Sequence, residues 1–352
     1  MERLSAITEQ VIAPDPSLGE KAQAHLDNLT KPPGSLGRLE NLARDLCVMR
    51  GTLDLAQPRP AVAVFAADHG AALAGVSAFP REVTAQMVMN FVTGGAGINA
   101  IARQVGAGVL VVDVGVDYDF PETAGLIRAK VARGSVDLLQ GPAMSRDQAM
   151  QAIEVGAKVA ADLIAEGIDL LIPGEMGIGN TTASSALAAA FTGLPPSEVT
   201  GRGTGLDSQG FKNKVAYITQ ALELHKPDTN DPLGVLAALG GLEIAAICGF
   251  ALTAATHRIP VILDGLISTA GCLCAARICP EARHYFIAGH TSVEIGQQAM
   301  LQDLGLRPLL DLKLRLGEGT GAALALAVVR AAVAIYKEMA TFESAGVSNQ
   351  EE

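Results

Sequence analysis

The chain has no tryptophan, and aromatic residues make up only 4% of its 352 residues. Such a chain cannot build a core around bulky rings. Its abundant alanine and its 38 glycines suit helices packed closely on a sheet. Basic residues are also few. Lys and Arg total 26 against 37 Asp and Glu, a net charge of -11, so no basic stripe exists to displace counterions from a nucleic-acid backbone. Any anionic substrate must be collected by a local site. The five cysteines, Cys47, Cys248, Cys272, Cys274 and Cys279, show no zinc-ligand spacing and read as reduced core thiols of a cytoplasmic protein. The N-terminal MERLSAITEQ lacks the basic flank and apolar centre of a signal peptide. Long apolar runs are missing too: Ile244 to Thr256 covers 13 residues and Arg330 interrupts the run after Ala322, where a membrane span needs about 20. No GxSxG elbow or P-loop lysine is present, which leaves a covalent hydrolase poorly supported.

What the chain does have is a series of short apolar runs ending in small or acidic residues. Ala61 to Asp68, Val109 to Val116, Ile168 to Glu175, Pro260 to Gly265 and His284 to His290 read as strands buried on both faces of a parallel sheet. Helical segments are expected between them, at Arg81 to Val105, Ser145 to Glu166, Thr181 to Thr192, Gly234 to Thr256, Leu266 to Ile278 and Ser292 to Leu304. Ser145 with Gln148 forms the pattern of a capping box. This alternation implies an α/β fold with an open, mostly parallel sheet and crossover helices. Ligands bind such sheets at the carboxyl ends of the strands, where the polar clusters of this chain are expected to fall. Residues 1–55 are polar and helical, interrupted by KPPGSLGRLE, Lys31 to Glu40, where Ser35 is the expected cap of a helix starting near Leu36 or Leu39. The polar tail, Gly346 to Glu352, is expected to fray.

Five stretches have residues suited to chemistry. In LRLGEGTG, Leu314 to Gly321, glycines bracket Glu318 just before an apolar helix. Glu318 is either an acidic ornament of the helix dipole or a general base walled by Leu314 and Leu316; burial would raise its pKa and a helix start would lower it. In GEMGIGNTT, Gly174 to Thr182, Gly177, Gly179, Asn180, Thr181 and Thr182 can cradle an anion at a helix start, and Glu175 sits among them. GRGTGLD, Gly201 to Asp207, with Arg202, Thr204, Ser208, Lys212 and Lys214, is a phosphate loop or a surface loop. GHTSVE, Gly289 to Glu294, places Thr291 and Ser292 at an expected N-cap, usable by a phosphate. Between Ala67 and Phe91, Ser77, Phe79, Gln86 and Met87 suit a planar heteroaromatic ligand or an ordinary loop packed on a helix. Asp68 and His69 there could be metal ligands, but no nearby ligand set completes a site; Asp68 is favoured as a structural strand-end acid, and Asp264 is a second acid of that kind. Together, two loop glutamates, several phosphate-ready helix starts and an apolar patch point to transfer of a phosphorylated sugar.

KPPGSLGRLE, GVSAFPREVTAQMV, GEMGIGNTT, GRGTGLD, GHTSVE and LRLGEGTGAALAL, in this order and spacing over residues 30–330, resemble the nicotinate-nucleotide:dimethylbenzimidazole phosphoribosyltransferases of cobalamin nucleotide-loop assembly. The resemblance implies transfer of the 5-phosphoribosyl group of nicotinate mononucleotide to 5,6-dimethylbenzimidazole, with inversion at the anomeric carbon and no metal or redox cofactor. It implies a Rossmann-like sheet domain, residues 56–321, a small helical domain from residues 1–55 and 322–352, and a homodimer; the charge and the short apolar runs give no nucleic-acid partner and no membrane span. By the same resemblance Glu318 matches the catalytic glutamate and Glu175 the second acid. Ser77, Phe79, Gln86, Met87 and Leu316 fall on the benzimidazole wall, and Gly177, Gly179, Asn180, Gly203, Lys214 and Ser292 on the phosphoribosyl and nicotinate side. A nucleosidase in which Glu318 activates water and a nucleotide-binding sensor or carrier are the competing readings.

Overall fold

Eight small or apolar residues, all buried, form the central strand β1 (Pro60–Ala67) of the computed structural model, which describes residues 2–203 and 205–348. Thr204 of the glycine loop and residues 349–352 of the polar tail lie outside the described residues. β2 (Gly108–Gly115), β3 (Leu126–Arg128), β4 (Leu170–Met176), β5 (Val261–Leu263) and β6 (Phe286–Ala288) complete the sheet. Its order is β3-β2-β1-β4-β5-β6 and every pairing is parallel, the doubly wound arrangement whose order reverses between β1 and β4. A ligand is expected in the crevice there. β3 goes unseen in the sequence because three half-exposed residues at an edge carry no apolar run. The run from His284 is only partly strand, since His284 and Tyr285 belong to a 3-10 turn.

The capping box at Ser145 forms, with Gln148 N donating to Ser145 Oγ at 3.1 Å and Ser145 N to Gln148 Oε1 at 2.8 Å. Three expected helices are corrected. Arg81 to Val105 is two helices, Val83–Val92 and Gly97–Val105, because Gly94 turns left-handed and the Asn99 side chain accepts from Ala96 N. Gly234 to Thr256 is likewise Pro232–Leu239 and Leu242–Thr256, parted at Gly240 and Gly241. The third starts later than expected, at Ile295 (Ile295–Leu304), so Ser292 is not its cap; that position belongs to Glu294. Ser35 is not a cap either: the helix Arg38–Arg50 begins after Gly37, and Glu40 closes the loop by accepting from Leu36 N and pairing with buried Lys31 at 2.9 Å. The helix Ser208–His225 went unread; its polar start SQGFKNK shows little apolar stripe, although Asp207 caps it through Gly210 N.

The abundance of small residues finds its use where helices Arg146–Ala165 and Leu242–Thr256 cross. A Cβ on Gly249 would stand 1.9 Å from Ile153 O, so backbones touch there without intervening side chains. Both chain termini meet along helix Thr320–Glu338. Leu29 bridges to Thr341, a ring nitrogen of His25 lies 2.8 Å from Tyr336 O, and Lys337 pairs with Asp54. Among the described residues this is the one helix long and apolar enough to cross a membrane. Over half of it is buried inside the protein, and Arg330 donates to Val105 O at 2.5 Å.

Candidate active site

Gly317, Glu318 and Gly319 have successive φ values of 86°, 64° and 93°. Two of these positions suit glycine. Glu318 does not, since a left-handed L residue costs roughly 1–2 kcal/mol. The loop nevertheless lies flat on the end of β4. A Cβ on Gly174 would stand 2.4 Å from Glu318 O, and one on Gly317 2.2 Å from Glu175 Oε1. The glycines of two distant motifs thus make one contact possible. Asp264, just past β5, holds the far side of the loop by accepting from Gly319, Gly321 and Ala322 N–H at 3.1, 2.7 and 3.0 Å.

This backbone turns the Glu318 side chain away from its own helix. Its Oε2 accepts from Ile98 N at 3.0 Å, at the start of helix Gly97–Val105. The carboxylate is buried, and burial pushes its pKa up; the Ile98 N–H pulls it back and Asp264 adds to the rise. The competition between burial and helix start is therefore won by burial. The ornament reading fails, because the helix whose N–H it receives is a different one.

Glu175 ends β4 under the same loop. Its Oε2 accepts from Asn180 Nδ2 at 2.5 Å and its Oε1 from Glu318 N at 3.4 Å. Burial first, then the acids Asp264 and Glu243, push its pKa up to about 8. Behind it His69 Nε2 and Glu243 Oε1 lie 2.6 Å apart, both buried. Burial and the neighbouring acids thus push Glu175 toward its neutral form. The raised value carries a stability consequence: protonated Glu175 stabilises the fold fully below its ordinary 4.5, and that contribution is lost as pH rises through about 8. The melting temperature is expected to fall across this window and to fall less in Glu175→Gln, which never ionises. Calorimetry of both proteins against pH checks this; parallel curves would count against it.

The acids border a cavity of about 300 Å³. One wall is apolar, from Phe79, Val83, Met87, Ile178 and Leu316. Phe79 and Leu316 are 51% and 60% exposed at the mouth. The other wall is polar, from Asn180, Thr181, Gly203, Ser292, Glu294 and Arg315. Behind it lies Lys214, fully buried, its Nζ donating to Thr181 Oγ1 at 2.7 Å; burial brings its pKa down to about 8, against the pull of Glu294. Glu294 Oε1 accepts from Gly203 N at 2.8 Å, tying the GRGTGLD loop to GHTSVE, and Ser292 Oγ accepts from Glu294 N at 3.2 Å. Of the residues anticipated, Glu318, Glu175, Phe79, Met87, Leu316, Gly177, Asn180, Gly203 and Ser292 line this cavity.

Ser77, Gln86 and Gly179 do not line it. Ser77 Oγ accepts from Phe79 N at 3.3 Å, bracing the wall rather than forming it. Gln86 is exposed on helix Val83–Val92. Gly179, with φ 99°, packs against Ala72 and His69 below the site. Asp68 is structural, accepting from Asp117 N at 2.8 Å with Arg81 3.5 Å away. Among the described residues no three His, Cys, Asp or Glu side chains gather in a metal-binding cluster. The expectation that every polar cluster ends a strand needs correction. GRGTGLD joins helices Pro196–Val199 and Ser208–His225, and LRLGEGTG follows helix Ile295–Leu304. Folding brings both to the strand ends.

A family model described as phosphoribosyltransferase matches residues 11–347. The nicotinate-nucleotide–dimethylbenzimidazole phosphoribosyltransferase of Geobacter metallireducens is 55% identical over 333 residues, 95% of this chain and 94% of that protein. That of Chloroflexus aggregans is 53% identical over 352 residues, 99% and 100% of the two chains. The chain belongs to this phosphoribosyltransferase family. The crystal structure of CobT from Thermus thermophilus matches the fold with a TM-score of 0.92 at 47% identity, covering 95% of this chain and all of that one. The protein is accordingly an enzyme of pentosyl transfer.

Several residues in and behind this cavity have no assignment from the sequence. Arg315 and Glu294 stand inside quoted motifs, and their charge beside glycines and hydroxyls was the available signal. His290 stands inside GHTSVE as well, His69 suggests only a metal ligand beside Asp68, and Glu243 has no signal, because its partner is distant in sequence. A larger cavity of about 650 Å³ lies elsewhere, near helix Glu2–Thr8, where Arg146 pairs with Asp231 and Arg277 with Asp303. It contains none of the motif glycines or loop acids.

Proposed function

We propose that the chain transfers the 5-phosphoribosyl group of nicotinate mononucleotide to 5,6-dimethylbenzimidazole, in the lower-ligand branch of cobalamin biosynthesis. The observation that carries this reading is the buried, basic Glu318 facing a cavity with one apolar and one polar wall. The benzimidazole lies against Phe79, Met87 and Leu316 with its N–H toward Glu318. As Glu318 takes that proton, the other ring nitrogen attacks the anomeric carbon. The bond to the nicotinate nitrogen breaks, its electron pair leaving with nicotinate, and α-ribazole 5'-phosphate forms with inversion. The leaving pyridine is cationic in the nucleotide, so it needs no general acid, and Glu175 supports the loop beneath by accepting from Glu318 N. Gly177, Asn180, Gly203, Ser292 and Arg315, with Lys214 behind them, hold the phosphoribosyl and nicotinate groups; Gly179 and Ser77 brace the walls, and Gln86 stays at the surface.

The chain is read as a homodimer working in the cytoplasm, with residues 1–55 and 322–352 as a helical subdomain beside the sheet domain. The exposed Phe79 and Leu316 at the mouth, and five free, buried cysteines, support the first two points. Product analysis tests the reaction: incubation with nicotinate mononucleotide should yield α-ribazole 5'-phosphate only when dimethylbenzimidazole is added. Equal release of nicotinate without it would make the protein a hydrolase, and tight binding without turnover a carrier.

A further inference from the structure

Asp264 is buried directly after β5, outside every motif that carries the resemblance. It is itself fixed, its N–H donating to Ser268 Oγ at 3.1 Å and its carbonyl accepting from Gln297 Nε2 at 2.7 Å. Its carboxylate reaches across to the loop that bears Glu318. Oδ2 accepts from Gly319, and Oδ1 from Gly321 and Ala322, an all-acceptor arrangement that suits the ionised acid. Burial pushes the Asp264 pKa up, while His290 and these three N–H groups pull it back. A helix start is ordinarily capped by the residue at its own N-cap. Here that residue is Gly319, which has no side chain to offer, and Asp264 does the work from a different strand end. The three bonds fall on the residues just after Glu318, whose left-handed φ of 64° would relax without such a hold.

We propose that Asp264 is a positioning residue for the transfer reaction: its carboxylate, accepting from three backbone N–H groups, locks the backbone that aims Glu318 and sets a negative charge beside that loop. The inference rests on Glu318 being the base. The other ionisable groups around the loop are Glu175 at the end of β4 with Glu243 and His69 behind it, His290 after β6, whose Nδ1 lies 3.6 Å from Asp264 Oδ1, Glu294 on the polar wall of the cavity, and Arg315 in the loop itself. Helix Gly97–Val105 faces Glu318 with a backbone N–H. Of the acids, Asp264 is the one that adds to the upward push on Glu318 after burial.

The test is the pH profile of kcat in the wild type, Asp264→Asn and Glu318→Gln. In Asp264→Asn the plateau is expected to fall roughly 10- to 100-fold as the base loses its aim. Its acidic limb should move to lower pH, because a like charge has gone. A lowered plateau with an unmoved limb would reduce Asp264 to a helix cap and overturn the proposal, as would a wild-type plateau. If Asp264→Asn does not fold, Asp264→Ser, an uncharged capping residue, should show the same displaced limb. Failure of both to fold beside a folded Glu318→Gln would assign Asp264 to the fold alone. Wild-type turnover in Glu318→Gln would instead remove the base reading, and the proposal with it. An inactive Glu318→Gln beside an unmoved limb in Asp264→Asn removes only the present proposal.

Discussion

Glu318→Gln is expected to lower kcat by about two to four orders of magnitude, the usual share of a general base, while both substrates still bind. The amide keeps the size of the acid and can still accept from Ile98 N, the bond that fixes the side chain. It cannot take a proton. The effect should therefore appear in kcat, with the dimethylbenzimidazole KM little changed, because the apolar wall of Phe79, Met87 and Leu316 is untouched. The left-handed backbone at this position sharpens the expectation. An L residue held there against a cost of roughly 1–2 kcal/mol indicates a site that favours geometry over stability. Glu318→Gly should accordingly stabilise the fold while abolishing turnover. Steady-state kinetics with thermal melting measures both; a wild-type kcat in Glu318→Gln contradicts the role.

Lys214→Ala should raise the KM for nicotinate mononucleotide about 10- to 100-fold, the loss of one charge-assisted hydrogen bond. The KM for the benzimidazole should change far less. Lys214 is fully buried and touches Thr181, at the polar wall opposite the apolar one. Its pKa, brought down to about 8, makes the same point without mutation. As pH rises through about 8 the lysine loses its charge, so kcat/KM for the nucleotide should fall there. This alkaline decline should disappear in Lys214→Ala. Equal changes in both Michaelis constants would place Lys214 in the fold rather than in phosphate binding.

The sheet was legible where strands are buried on both faces. β1, β2 and β4 show in the sequence as largely apolar runs, and the short β5 and β6 show as well because they are fully buried. β3 does not, because an edge strand of three residues buries too little to leave a pattern. Loops that need glycine to lie close to another backbone were equally visible: the glycines of GEMGIG and LRLGEG meet at the end of β4. What the sequence withheld was partnership. Ile98 lies 220 positions before Glu318, and Asp264 reaches a helix 57 positions further on. No local pattern encodes such pairs. The base wall shows the same limit at short range, since Phe79 and Met87 turn inward while Gln86, one residue before Met87, faces solvent. A residue's place on a helix face depends on where the helix starts, and this one starts at Val83 rather than Arg81.

The most direct test of Glu318 as the base is the crystal structure of the protein bound to 5,6-dimethylbenzimidazole. The ring should lie against Phe79, Met87 and Leu316, with one nitrogen about 2.6–3.2 Å from a Glu318 carboxylate oxygen. A ring whose nitrogens face Glu175 or solvent, with Glu318 still held only by Ile98, would contradict it.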